Sequence, residues 1–395
     1  MAIHSHFNSL QTIRGSSRGF PFAMLVLLLL SFRAMALPMP VPASTDDSLD
    51  IKIGQMLMVG FRGCQISAES PIVKDMQKLH LGGVVLFDFD VATKEYGRNI
   101  TSPMQLLELN NTLRRFAKIP LFIAIDQEGG TVRRLKTKDG FPATVSHAHL
   151  GALDNIDSTN YFSDVIARSI AVVGINTNFA PVLDLNVNPR NPVIGKLDRS
   201  FSADPDVVIR NAALMIKAHH ERGLLCGVKH FPGHGSSRDD SHEGFVDVSS
   251  TWTKKELLPF ASMIEQGLCD MVMTAHIFNK KLDPVFPATL SNATIDGLLR
   301  KQMGYEGVVI TDDMMMKAIS EQYGLETAIE KAVNAGADIL LFANNTYTFE
   351  PDIAQKAFTI MKSLVAGGRI SAARIDASWK RIMALKERMQ KTWDK

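Results

Sequence analysis

Four places in this 395-residue chain set ionisable side chains directly after an apolar run. Ile125 leads into Asp126-Gln127-Glu128-Gly129-Gly130, and Val228 into Lys229-His230-Phe231-Pro232-Gly233-His234-Gly235. Thr274-Ala275 leads into His276, and Ile310-Thr311 into Asp312-Asp313. One aspartate in such a place is an ordinary helix cap. Four polar ends are better explained as side chains delivered to one rim. A carboxylate at the tip of a buried strand is costly to desolvate, and functional sites are where that cost is tolerated. Asp312 is thus a candidate nucleophile toward an electrophilic carbon. Asp313 is expected to cap a helix over 314–319.

Asp240-Ser241-His242 sets a carboxylate and an imidazole two residues apart. An aspartate bonded to one ring nitrogen fixes the tautomer and makes the other nitrogen more basic, as a general acid/base near neutral pH requires. The plainer alternative is a surface Asx-turn beside a solvated histidine. A metal site is a further alternative, because His230 and His234 stand four apart, although a Gly- and Pro-rich loop does not guarantee ligand geometry.

Positioning these groups requires a scaffold. Short apolar runs occupy 58–61, 84–87, 121–125, 175–180, 225–229, 271–275, 307–311 and 339–342. Continuous runs of this length suit strands buried on both faces of a parallel sheet. Helical signals lie between them. Ser102-Pro103 and Asp204-Pro205 each put a capping residue before a proline at the first helical position. Residues 371–392 read as a final amphipathic helix, with Ile375, Trp379, Ile382 and Leu385 on one face. Eight strands alternating with helices predict an α/β fold of one (β/α)8 TIM barrel, with active-site groups at the C-terminal strand ends. A doubly wound open sheet is the competing architecture.

Composition narrows the partners. Net charge is +2 and 46% of residues are hydrophobic, which excludes a disordered chain and a nucleic-acid binder held by basic surplus. Cys64, Cys226 and Cys269 form neither a disulfide framework nor a C-x-x-C pair. Residues 1–36 have the layout of a secretory signal peptide: Arg14 and Arg18, an apolar run over 20–30, then Ala34-Met35-Ala36. The run is shorter than the about 20 residues of a membrane span, so the mature protein is expected not to insert stably. An uncleaved anchor or a misplaced start is the alternative. Residues 37–49 read as a leader and 50–395 as the catalytic domain. Removing residues 1–36 takes away three arginines and no acid, leaving a net charge of −1. The expected product is exported, periplasmic or secreted, and monomeric.

The motifs together resemble glycoside hydrolase family 3, in particular its β-N-acetylglucosaminidase branch. The resemblance spans about residues 50–390. It rests on the stretch at 125–130 with Arg134, on Phe179-Ala180-Pro181-Val182-Leu183-Asp184, and on Asp198-Arg199-Ser200-Phe201. It rests further on the 229–235 run followed by Asp240-Ser241-His242, on Pro287-Ala288-Thr289-Leu290-Ser291, and on Thr311-Asp312-Asp313. The resemblance implies that Asp312 is the nucleophile of a covalent glycosyl-enzyme, His242 the general acid/base and Asp240 its dyad partner. It implies that Asp126, Arg134, Arg199, Lys229 and His230 grip a non-reducing N-acetylglucosamine. For Arg134 and Lys229, surface salt bridging is the alternative. No cofactor and no metal are implied.

The expected reaction is retaining exo-hydrolysis of an N-acetylglucosamine-containing glycan, such as a peptidoglycan fragment. A histidine takes the place of the usual acid carboxylate. A neutral imidazole repels an incoming anion less than a carboxylate would, so phosphorolysis is a variant. A β-glucosidase, a metal-dependent hydrolase and a non-catalytic sugar-binding barrel are the alternatives. The sequence departs from the family after His242, where Glu243-Gly244-Phe245-Val246-Asp247 replaces an expected Leu-Pro-like continuation. It departs again in its export signal. The second domain of longer family members is not expected.

Overall fold

The computed structural model describes residues 48–393, so the proposed export signal and nearly all of the leader lie outside the described residues. Eight parallel strands form the central sheet: β1 (Leu57–Gly60), β2 (Gly83–Leu86), β3 (Phe122–Ile125) and β4 (Thr177–Asn178), then β5 (Leu225–Phe231), β6 (Met271–Thr274), β7 (Val308–Thr311) and β8 (Leu340–Phe342). Each pairs with its sequence neighbour, and β1 pairs with β8 in the register Leu57↔Leu340. A bridge between Ile310 and Ile339 joins β7 to β8 and closes the ring. The sheet is therefore a barrel, and the open-sheet alternative falls.

Each of the eight apolar runs overlaps one strand. Side chains on both faces are buried, among them Val84, Ile123, Val272 and Ile310, because helices cover the outside and side chains fill the inside. The predicted starts hold. Ser102 accepts the Gln105 N–H at the head of Pro103–Phe116, and Asp204 accepts the Asp206 N–H at the head of Pro205–His220. The last helix is Ala372–Trp393.

Two strand boundaries differ from expectation, for physical reasons. β4 is only two residues long because asparagine side chains extend its ladder. The Asn176 amide bonds Leu121 O and Ile123 N, each at 2.8 Å, and the Asn178 amide bonds Gln127 N and O, each at 3.0 Å. β5 runs past Lys229 to Phe231 through a bulge: Val228 pairs with Val272, but Phe231 pairs with Thr274. Three steps on β5 thus match two on β6. Bulges re-aim side chains next to active sites, and here the displaced residues are Lys229 and His230.

At the N-terminal end of the barrel the buried Lys386 side-chain nitrogen donates to Gln55 Oε1 at 2.6 Å and to Gly82 O at 2.8 Å. It also lies 4.6 Å from the Phe122 ring centre. Buried Asp338, just before β8, accepts from Arg300 (2.6 Å), Arg374 (3.1 Å), Arg381 (3.2 Å) and Ser378 (2.8 Å), as well as from the Val309 N–H (2.9 Å). It ties the final helix to the barrel wall. Among the described residues no helix is long and apolar enough to cross a membrane.

Candidate active site

Gln127 shapes the turn after β3. Its side-chain oxygen accepts the Arg134 N–H at 2.9 Å and the Leu135 N–H at 3.0 Å, folding the chain back on itself. Gly129 and Gly130 make the fold possible at φ of 98° and 58°. A Cβ on Gly129 would stand 2.3 Å from Val145 O, which no other residue tolerates. This turn brings Arg134 back beside Asp126, its guanidinium 3.4 Å from Asp126 Oδ2.

A polar cluster follows from there. Lys229 Nζ lies 2.7 Å from Asp126 Oδ1 and 2.8 Å from Glu128 Oε1, with its side chain only 3% exposed. A surface salt bridge is thus the wrong description for Lys229. Arg199 forks onto Glu128 through Nε and a terminal nitrogen, both at 2.8 Å. The Asp126 carboxyl is raised by burial but lowered more by Lys229 and Arg134, and ends below its ordinary value. Burial opposes ionisation of Glu128 too, and Arg199 and Lys229 overcome it, holding that carboxyl far below the usual range.

His230 closes the cluster. Its Nδ1 donates to Asp184 Oδ2 at 2.6 Å, leaving Nε2 to accept from Arg199 at 3.3 Å. Asp184 also accepts the His234 N–H at 2.7 Å. The His234 ring meets Ser237 Oγ at 2.7 Å and Ser241 Oγ at 3.2 Å, and burial lowers its pKa to about 4. All four nitrogens of His230 and His234 are therefore engaged by protein groups. Among the described residues no three His, Cys, Asp or Glu side chains gather as metal ligands.

Asp240 and His242 stand on the loop after β5. Asp240 Oδ1 accepts the His242 N–H and meets His242 Nδ1, both at 2.8 Å. The Asx-turn and the carboxylate–imidazole pair are thus one structure rather than alternatives. The ring is 61% exposed and stands in the open mouth. Its surroundings pull the imidazole pKa down, and the Asp240 bond with the Asp312 and Asp240 charges more than offsets this, leaving it raised. Glu243, the residue that departs from the family pattern, reaches Lys317 Nζ and the Tyr347 hydroxyl at 3.4 and 3.3 Å. It joins the loop to the segments after β7 and β8.

Asp312 extends β7. Its N–H donates to Thr274 O at 3.2 Å, and its Oδ1 accepts the Asp313 N–H at 2.8 Å. Desolvation raises its pKa, but His276, His230, His242 and the Asp313 N–H lower it to about 2. Asp313 is not the cap expected of it, because the next helix starts only at Lys317. Its buried carboxyl instead accepts N–H groups from Met315 (3.1 Å) and Ala343 (2.9 Å), stitching β7 to β8. Burial raises its pKa to about 7, against those two bonds. Adjacent carboxyls are thus pushed apart, one lowered and the other raised.

Every sequence-predicted residue lies on the C-terminal rim. Three supporting residues went unassigned in the sequence: Glu128, Asp184 and His276. Glu128 and Asp184 sit inside quoted motifs, and a buried acid facing downstream cations was their only signal.

Acids, imidazoles and cations thus gather at the C-terminal rim of a closed (β/α)8 barrel, where such barrels carry their active sites. Residues 48–385 match the glycosyl hydrolase family 3 N-terminal domain, and the chain belongs to glycosyl hydrolase family 3. It is 33% identical to the β-hexosaminidase A of Pseudoalteromonas piscicida, over 85% of this chain and 60% of that one. It is 35% identical to a β-hexosaminidase of Tolumonas auensis, over 73% of this chain and 83% of that one. Among solved structures, a family 3 β-N-acetylglucosaminidase from Paenibacillus superposes with a TM-score of 0.79 at 37% identity, covering 87% of this chain and 62% of that one. A β-N-acetylhexosaminidase from Beutenbergia cavernae gives 0.76 at 28% identity, covering 87% and 99%. The chain thus spans about three fifths of the Pseudoalteromonas and Paenibacillus proteins and nearly all of the Beutenbergia one.

Proposed function

We propose that the protein is a retaining, exo-acting β-N-acetylhexosaminidase that removes terminal N-acetylglucosamine from glycans such as peptidoglycan fragments. One observation carries the reading: an ionised Asp312 and a carboxylate-paired His242 share one mouth with the fixed cluster of Asp126, Arg134, Arg199, Lys229 and His230. The names of the relatives agree with it. In this reading the cluster holds hydroxyl and carbonyl oxygens of the sugar. Asp312 attacks the anomeric carbon while His242 protonates the departing oxygen, with Asp240 stabilising the imidazolium. His242, now neutral, takes a proton from water, which displaces Asp312. Two inversions give net retention.

The test is turnover of an aryl N-acetyl-β-glucosaminide beside the aryl β-glucoside, each with and without phosphate, with the product anomer followed by NMR. The expected result is β-product from the N-acetyl substrate and loss of turnover in Asp312→Ala. Wild-type turnover in that variant overturns the reading. A glycosyl phosphate as main product assigns phosphorolysis, and preference for the glucoside assigns a β-glucosidase. We propose in addition that the protein acts outside the cytoplasm, supported by the charge and apolar pattern of residues 1–36. Fractionation of cells, with and without that segment, checks it.

A further inference from the structure

His276 follows β6 at the rim, yet the proposed reaction gives it no task. Its ring is buried, 1% exposed. Nε2 lies 2.9 Å from Asp313 O, a carbonyl that only accepts, so the ring proton sits on Nε2. Nδ1 lies 2.9 Å from Thr289 Oγ1, which is itself 2.9 Å from Thr274 Oγ1 and from Ala275 O. The single Thr289 hydroxyl hydrogen has two acceptors within reach, Ala275 O and Nδ1, and Thr274 Oγ1 meets the same oxygen. These contacts run from Thr274 through Thr289 and His276 to Asp313. They end one residue from Asp312, whose Oδ1 accepts the Asp313 N–H at 2.8 Å.

From this geometry we propose that His276 is a positioning residue: by gripping the Asp313 carbonyl through Nε2–H, with its ring braced against Thr289, it fixes the backbone N–H that aims the Asp312 carboxylate. The inference rests on the reading of Asp312 as nucleophile. Asp313 is then a hub held on three sides. Its carbonyl is held from β6, its carboxyl binds the Ala343 N–H after β8, and its own N–H serves Asp312. A nucleophile must lie in line with the anomeric carbon, and errors of about 1 Å in such placement cost on the order of 100-fold in rate. Burial also disfavours a second proton on the His276 ring, lowering its pKa and keeping Nε2 its one donor.

The experiment compares His276→Leu, His276→Gln and Thr289→Val with Asp312→Ala and His242→Ala. Two aryl N-acetyl-β-glucosaminides are used, one with a poor and one with an activated leaving group. A misaimed nucleophile slows attack whatever departs. His276→Leu is therefore expected to lose about 100-fold in kcat on both substrates with KM unchanged. His242→Ala is expected to recover on the activated one. Gln carries an N–H where Nε2 stood, and His276→Gln regains a large part of the lost kcat. Thr289→Val gives a smaller loss of the same kind, and decides the matter if His276→Leu does not fold. Wild-type kcat in His276→Leu, or in a Thr289→Val that stands in for it, overturns the proposal. So does recovery on the activated substrate, or no regain in Gln. Those outcomes with Asp312→Ala inactive refute His276 alone, whereas an active Asp312→Ala removes the reading on which it rests.

Discussion

Replacing Glu128 by glutamine removes one charge from the centre of the polar cluster and changes almost nothing in shape. The carboxylate accepts three charged contacts at 2.8 Å, two from Arg199 and one from Lys229, and is 1% exposed. A glutamine keeps one accepting oxygen and turns an N–H toward a guanidinium. Arg134, Arg199 and Lys229 then face Asp126 as the remaining acid of the turn. Breaking a buried, hydrogen-bonded ion pair on one side costs about 3–5 kcal/mol, and we expect Glu128→Gln to lose that much in urea unfolding at pH 7. The folded-state pKa of Glu128 is depressed, so its contribution is present above the ordinary value of 4.5 and fades as the pH falls. Below that point the gap between the two proteins should close by about 1.4 kcal/mol per pH unit. KM for an N-acetylglucosaminide should rise in parallel, since Arg199 and Lys229 lose their common anchor. A gap under about 1 kcal/mol at pH 7, or one indifferent to acid, would refute the view that Glu128 organises this wall.

Asp240→Asn should move the basic limb of the pH–kcat/KM profile to lower pH. His242 must be protonated to donate, and the Asp240 bond and charge help hold its pKa up; an unmoved limb argues against the pair. Glu256, buried beneath the loop after β5, accepts the Ser236 N–H at 3.3 Å, and burial raises its pKa to about 7. Between pH 4.5 and about 7 the unfolded chain ionises while the folded one keeps its proton, so folding stability falls as pH rises. Glu256→Gln escapes that penalty and should gain on wild type by up to about 3 kcal/mol across the window, read from urea titrations at pH 5 and 8. Asp338→Ala leaves three arginines without their shared acceptor. It should cost at least about 3 kcal/mol in unfolding free energy and make the final helix an early site of proteolysis.

The barrel was legible because each strand is buried on both faces and therefore apolar throughout. Its boundaries were less so, since they depend on groups a hydropathy pattern does not weigh. Asparagine amides at 176 and 178 replace strand backbone in β4, and the polar pair Lys229-His230 lies inside β5, where the apolar run stops. At the rim, residue types and neighbours suggested the Asp240–His242 pair, because the partners lie two residues apart. Glu128 with Arg199 joins residues 71 apart, and His230 with Asp184 residues 46 apart, so only the fold discloses them. Asp313 was misread for a related reason: a cap is a local device, whereas its carboxyl serves β8, thirty residues on.

Closure of the ring has a consequence for how the protein is made. β1 finds its second neighbour only when β8 exists, and the contacts Lys52–Asp376 and Gln55–Lys386 join the same two ends. At ribosomal speeds of about 5–20 residues per second, the first strand waits on the order of tens of seconds for a partner some 280 residues away. Until then the nascent sheet carries an open edge, able to pair with another chain. Assembly of the mouth is therefore one of the last events in the life of a new chain, and the interval before it is when chaperones matter most.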